Sequence, residues 1–173
     1  SNHIVMSLPS VAACNLAVKL FTEMNLPWSP MSIVGDSGND QESILEHVRS
    51  NDQTICFTRW ANVVGVTVPE WDTVVHGAKT DSAEFYIQFS FRGGSTLRDS
   101  WNVIDFNSEQ TLGSILELVQ ATNDAEGGSE PSNLLKTFLD FADVHEFEDG
   151  FQKVDYSRFL KLSCSNATDS ITL

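Results

Sequence analysis

Short apolar runs alternate along the chain with longer segments in which apolar residues recur every three or four positions. The short runs are rich in β-branched and aromatic residues and predict strands at 3–7, 31–34, 53–57, 73–76 and 101–106. The longer segments predict amphipathic helices between them. In the first helix, which starts near Pro9, the predicted sheet-facing stripe consists of Ala13, Leu16, Ala17, Leu20 and Met24. This alternation predicts an α/β fold, a mainly parallel sheet with helices on both faces.

The end of the chain has a different composition. Residues 122–131 are acidic and glycine-rich and lack large apolar side chains, which predicts a linker. Residues 132–173 begin with another amphipathic pattern and predict a small helical C-terminal extension of unknown role. Because 173 residues can bury one good core, we expect one main domain at 3–121, followed by this linker and extension.

Charge and cysteine content narrow the choice of partners. The net charge of -14 argues against a general electrostatic attraction to nucleic acid, so any such contact must be local or depend on another domain. No apolar run approaches the roughly 20 residues of a membrane helix, and no membrane partner is expected. Cys14, Cys56 and Cys164 are far apart and form no Cys-x-x-Cys pair. They predict reduced, mostly buried thiols in a cytoplasmic protein and no metal site.

The most informative stretch follows the third predicted strand. Thr58 ends that strand, and a loop carrying Gly65 and Thr67 closes on Pro69. Glycine at position 65 allows a positive φ or a close backbone approach.

The helix after the fourth predicted strand carries Gln88 and Arg92. Residues four apart lie on the same side of a helix, so this pair is predicted to face one cleft.

In this order and spacing, the loop and the helix resemble motifs V and VI of superfamily 2 helicases. The Ile-Asp-Phe strand end that follows, at 104–106, is most similar to restriction-type members. The resemblance covers about residues 3–121 and implies a second RecA-like domain, a fold of the P-loop NTPase type without the P-loop. In this family the motif V threonine contacts nucleic acid. The motif VI glutamine lies near the nucleotide, and an arginine stabilises charge on the transferred γ-phosphoryl group.

The resemblance assigns roles to particular residues. It implies that Gln88 and Arg92 are catalytic and also bind nucleotide, together with Gly65 and Thr67. Thr67 replaces a common aspartate of motif V. Motif VI departs further, since Phe91 replaces its glycine and Ser95 its second arginine, which leaves Arg98 as a substitute nucleotide-binding residue. Gly93 and Gly94 also fit a helix C-cap, which is compatible with the role of Arg92.

The implied nucleic-acid contacts lie at strand ends. Thr58 and the neighbouring Arg59 are placed to meet a phosphate. Ser7 and Ser10 occupy the position of helicase motif IV, where the free amides at the start of a helix attract phosphate. The alternative is that these serines only cap the helix.

A Gly-x-x-x-x-Gly-Lys-Ser/Thr loop and a downstream Asp-Glu-x-His box are both absent from this sequence. The resemblance therefore implies that ATP and Mg²⁺ are bound mainly by an upstream RecA-like domain of the same parent chain. This chain alone is not expected to hydrolyse ATP. The nucleic-acid partner is expected to be DNA in preference to RNA.

Two other hypotheses remain open. The sequence Gly-Asp-Ser-Gly-Asn-Asp at 35–40 resembles the magnesium loop of haloacid-dehalogenase-type phosphatases. Those enzymes need an Asp-x-Asp nucleophile, which this chain lacks, so it would be a fragment without the catalytic half. The plain alternative for these residues is a polar turn before a capped helix. The last hypothesis is a non-catalytic α/β module that binds other proteins.

Overall fold

The computed structural model describes residues 2–34, 41–59, 66–80, 82–94 and 100–107, together with 113, 114, 117, 145–147 and 151–153. The chain divides into two compact units, Ser1–Ser108 and Glu109–Leu173. The first unit contains the sheet and the candidate site, and each unit is described by itself.

The described part of the first unit alternates strands and helices as the sequence predicts. The strands are β1 His3–Ser7, β2 Ser29–Ile33, β3 Thr54–Thr58, β4 Thr73–His76 and β5 Asn102–Asp105. The helices are α1 Val11–Glu23, α2 Gln41–Arg49 and α3 Ala83–Ser90, the last followed by a 3₁₀ turn at Phe91–Gly93.

The strands form one sheet with the order β2-β3-β1-β4-β5. Each neighbouring pair is parallel, so the predicted mainly parallel sheet is confirmed. The strand at the centre is β1, which pairs with β3 on one side and with β4 on the other. Parallel pairing brings the carboxyl ends of all these strands to one edge of the sheet.

Helices cover both faces of the sheet, and this part of the fold prediction is therefore also confirmed. Successive strand side chains point to opposite faces. In β3, Cys56 therefore packs with α2 and α3, in a core that also includes Val5, Ile44 and Phe89. Its neighbours Ile55 and Phe57 pack with α1 on the other face.

Helix α1 turns a different side to the sheet from the one predicted. The side chains that pack on the sheet are Cys14, Ala17, Val18 and Phe21. Leu16, Leu20 and Met24, which were predicted to face the sheet, are 55%, 44% and 65% exposed. The predicted and the observed sets of residues both have helical spacing. The observed set is buried because the ring of Phe21 packs edge-on against the ring of Phe57, with 5.1 Å between the ring centroids. The predicted stripe was wrong for these three residues.

The start of α1 also differs in detail. Ser10 is the N-cap, with an extended backbone, and its Oγ accepts a hydrogen bond from the amide of Ala13 at 3.1 Å. Pro9 therefore precedes the cap and is not in the first helical turn.

The connection from β3 to β4 contributes to the core on the α2 side. Val68 and Trp71 are fully buried there. The amide of Asp72 donates to the carbonyl oxygen of His3 at 3.0 Å, at the amino end of β1. The segment 66–72 is therefore held against the sheet before β4 begins.

The described residues of the second unit include an antiparallel hairpin of β6 His145–Phe147 and β7 Phe151–Lys153. These two strands lie within 132–173, where the sequence predicts a helical extension, and the hairpin was not predicted. Gly113, Ser114 and Glu117 are helical. The predicted linker at 122–131 lies outside the described residues, and the predicted domain boundaries stay a prediction.

Candidate functional site

The carboxyl edge of the sheet gathers polar residues. The register pairs Ser7, at the end of central β1, with Thr58 of β3 and with His76 of β4, and it pairs His76 with Asp105 of β5. In open α/β sheets, ligands bind outside this edge. A ligand site is therefore expected at this edge.

The central strand ends in a crowded backbone arrangement. The amide of Leu8 donates to the carbonyl oxygen of Thr58 at 2.8 Å, and the amide of Gly77 donates to that of Ser7 at 3.1 Å. A Cβ at Gly77 would lie 2.7 Å from the Ser7 carbonyl oxygen and 2.6 Å from Cε of Met6. Glycine is therefore required at position 77 by a close approach.

Two of the predicted nucleic-acid contacts, Ser7 and Thr58, are buried. The Thr58 side chain has no exposed surface, and its Oγ1 lies 3.0 Å from the Ile33 carbonyl oxygen and 2.8 Å from that of Arg59. Ser7 is 1% exposed, and its Oγ has no hydrogen-bond partner among the described residues. A buried hydroxyl without a partner costs about 1–3 kcal/mol, which marks Ser7 as unusual.

The exposed polar groups near this edge lie just beyond the strand ends. Ser10 is exposed, and its side chain is engaged as the α1 N-cap. Arg59 is exposed immediately after β3, and Lys79 is exposed three residues after β4. Sequence reasoning missed Lys79, although its position close after a strand end is visible in the sequence. These two cations supply local positive charge in a chain of net charge -14.

Arg92 connects the two predicted motifs. It lies in the 3₁₀ turn after α3, is partly buried, and donates from Nη1 to the carbonyl oxygen of Val66 at 3.0 Å. The next carbonyl, that of Thr67, accepts a hydrogen bond from Nε2 of Gln41 at 3.0 Å. The loop is thus held on two sides through its backbone, while the Thr67 residue itself is exposed.

Gln88 lies on α3 itself. Its side chain is exposed, and Nε2 donates to Oε1 of Glu84 at 2.9 Å. Helix α3 starts after the Ser82 N-cap and ends at Ser90, so Gln88 and Arg92 belong to different elements. Gly65, Ser95 and Arg98 lie outside the described residues, and the predicted roles of all these residues stay predictions.

His76 is a buried titratable residue at this edge. It is 3% exposed, its ring stacks on Tyr86 with 4.2 Å between centroids, and Nε2 lies 2.9 Å from Oγ of Ser90. Burial lowers the pKa of His76 to about 4, and the opposing effect of the Asp105 carboxylate is weaker.

The Ser90 hydroxyl is not activated by this histidine. Its single proton is donated to the Tyr86 carbonyl oxygen at 2.8 Å. The His76 Nε2 is then the donor to Ser90 and cannot act as a base toward that hydroxyl. Ser90 and His76 therefore make a structural contact between α3 and β4, and with Asp105 of β5 they do not form a nucleophilic triad.

A residue that the sequence analysis did not single out, Trp101, lies over the turn that carries Arg92. Its Nε1 donates to the Ser90 carbonyl oxygen at 2.7 Å. Gly93 and Gly94 lie directly beneath the indole. The only signal in the sequence is a glycine pair followed by a tryptophan several residues later.

No group of three His, Cys, Asp or Glu side chains within the described ranges could hold a metal ion. The hexapeptide at 35–40 lies outside those ranges. No helix in the described part of the chain is long and apolar enough to span a bilayer.

Solved structures with a similar fold include a domain of a helicase and part of an ATPase domain. The second domain of the DEAD-box helicase Mss116p, bound to an RNA duplex, matches with a TM-score of 0.54 at 16% identity, over 80% of this chain and 56% of that one. The shared fold is RecA-like, a parallel sheet with helices on both faces. The C-terminal part of the Fun30 ATPase domain matches with a TM-score of 0.51 at 12% identity, over 61% of this chain and 34% of that one.

At these identities the likeness shows the fold alone. The chain spans 56% of the Mss116p structure and 34% of the Fun30 structure. No protein-family model matches the sequence, and no curated protein matches it. These comparisons therefore assign no role to any individual residue.

Proposed function

We propose that this chain is the second motor domain of an ATP-dependent helicase or translocase. The observation that carries the proposal is the hydrogen bond from Arg92 to the Val66 carbonyl oxygen. It joins the turn that resembles motif VI to the loop that resembles motif V, on a fold shared with helicase second domains. A guanidinium at this place is permanently charged and presents several donors.

In the proposed mechanism an upstream RecA-like domain of the parent chain binds ATP and Mg²⁺. When the two domains close, Arg92 exchanges the Val66 carbonyl for the γ-phosphate and stabilises the charge that develops during transfer. Gln88, exposed on α3, contributes a further polar contact to the nucleotide. Gly65, Thr67 and Arg98 complete the proposed nucleotide contacts of this domain.

Release of the Val66 carbonyl couples the nucleotide to the nucleic acid. The loop at 66–68 follows Thr58 and Arg59, which lie at the carboxyl edge with Ser7 and Ser10. Movement of this loop changes the contacts of that edge with a phosphate backbone. We propose DNA as the strand that is bound, in a restriction-type motor of the cytoplasm, with Arg59 as the exposed cation that meets it.

The test uses the full-length protein that contains this chain, with single-stranded oligodeoxythymidine and oligouridine as probes. Arg92→Lys keeps the charge but loses the planar donor set, and kcat for ATP hydrolysis should fall by about 10³-fold. The matched control is Arg49→Lys, because Arg49 is an exposed α2 residue that pairs with Glu70. Equal kcat values in the Arg92 variant and the wild type would overturn the proposed function and favour a non-catalytic binding module.

A further inference from the structure

The indole of Trp101 covers the backbone on the carboxyl side of Arg92. A Cβ built on Gly93 would lie 2.7 Å from Cδ1 of Trp101, and one built on Gly94 would lie 2.8 Å from Cζ3. The five-membered ring therefore lies over Gly93 and the six-membered ring over Gly94. Neither position tolerates a side chain while the indole stays in place.

The same indole binds the end of α3 on the amino side of Arg92. Nε1 donates to the Ser90 carbonyl oxygen at 2.7 Å, at the last residue of α3. The ring also contacts Phe91, with 5.3 Å between centroids, although Phe91 is 60% exposed. Trp101 thus contacts residues on both sides of Arg92 in the chain.

The glycine pair is explained by this contact and not by a left-handed helix cap. Gly94 has φ -89°, outside the left-handed region, and its amide donates to the Phe91 carbonyl oxygen at 3.1 Å to close the turn. The turn therefore needs glycines because a flat ring lies against them. A ring packed this closely leaves the backbone of the turn few alternative conformations.

We infer that Trp101 is a positioning residue for Arg92, which sets the direction of the guanidinium by fixing the turn Phe91–Gly93. The inference rests on the proposed function, since it gives Trp101 a part in the same reaction. Trp101 itself touches neither nucleotide nor nucleic acid in this role. Its contribution is pre-organisation, and a displacement of about 1 Å in a catalytic group can cost about 10²-fold in rate.

The first experiment measures the turn in this chain by amide hydrogen exchange. Trp101→Phe keeps a ring over the glycines and removes the donor to Ser90, so exchange at the Gly94 amide should rise at least tenfold. The matched control is Trp28→Phe, because Trp28 is a partly buried tryptophan on the α1 face whose indole nitrogen has no partner among the described residues. It should leave exchange at Gly94 unchanged. Equal exchange at Gly94 in the Trp101 variant and the wild type would overturn the inference.

The second experiment is a double-mutant cycle in the full-length protein, with ATP and the oligonucleotide probes above. Trp101→Phe should lower kcat about tenfold with KM unchanged, and it should lower kcat no further when Arg92 is already lysine. A tryptophan that merely stabilises the fold would lower kcat equally in both backgrounds, and that result would overturn the inference alone. Gly94→Ala displaces the indole from beneath and should reproduce the kcat loss. If Arg92→Lys alone leaves kcat unchanged, the proposed function fails first and the inference falls with it.

Discussion

Protonation of His76, which is buried at the carboxyl edge of the sheet, should destabilise the fold as the pH falls. The ring is 3% exposed between α3 and β4, and burial lowers its pKa from 6.5 to about 4. Between these values the unfolded chain binds the proton and the folded chain does not. The free energy of unfolding therefore falls as the pH drops from 6.5 through 4, and this contribution is fully present above 6.5.

The magnitude follows from the two pKa values. At or below pH 4 the loss attributable to His76 approaches about 3 kcal/mol, a large part of the stability of an ordinary domain. His76→Phe removes the titrating group and keeps an aromatic ring beside Tyr86. At pH 7 it should cost about 1 kcal/mol for the lost hydrogen bond to Ser90. The difference between variant and wild type should then reverse as the pH falls.

The assay is urea unfolding at pH 7, 5.5 and 4, followed by circular dichroism. Carboxylate titration affects both proteins, so the quantity of interest is the difference between them at each pH. The matched control is His47→Phe, which should keep the wild-type pH dependence because His76 is intact. A difference between His76→Phe and wild type that stays constant from pH 7 to pH 4 would refute the reasoning.

Three further predictions concern the fold. Gly77→Ala should destabilise by about 1–3 kcal/mol, because its Cβ meets a strand carbonyl oxygen at 2.7 Å, whereas Gly113→Ala, with none of the described residues within 4 Å, should be nearly neutral in thermal unfolding. Arg49→Gln removes a 2.6 Å contact with Glu70 that is partly exposed, so it should cost less than about 1 kcal/mol in urea unfolding and nothing in 1 M NaCl; a larger, salt-independent loss would contradict this. Burial raises the pKa of Cys56 to about 12, so at pH 8 a maleimide should label it only after unfolding, and rapid labelling of the folded protein would refute its burial.

Local patterns in the sequence were sufficient to predict the five strands of the first unit and the fold class. The run Thr-Ile-Cys-Phe-Thr, for example, has the β-branched and aromatic composition of a buried strand, and it forms β3. The order of the strands was not predictable in this way, because periodicity says which face is buried and not which strands are neighbours. The prediction of which side of α1 is buried was wrong for a related reason. That helix carries apolar residues on most of its sides, and long-range contact with Phe57 selects the buried one.

The candidate site was predictable in part. The four-residue spacing of Gln88 and Arg92 predicts that they share one face of a continuous helix. Helix α3 instead ends at Ser90. Trp101 binds the carbonyl oxygen of that last helical residue from a position that sequence spacing does not connect to the helix. The burial of Thr58 was not predictable from the sequence either, because its hydroxyl group donates to a carbonyl oxygen of a different strand.

The central place of β1 has a consequence for how this unit folds. Its partners begin at Thr54 on one side and at Thr73 on the other, so β1 stays unpaired until those distant segments reach it. Such non-local pairing raises the contact order and slows folding, to the range of milliseconds to seconds for small domains. A chain truncated before β4 would leave one side of β1 without a partner, and shortened versions of this protein are expected to aggregate for that reason.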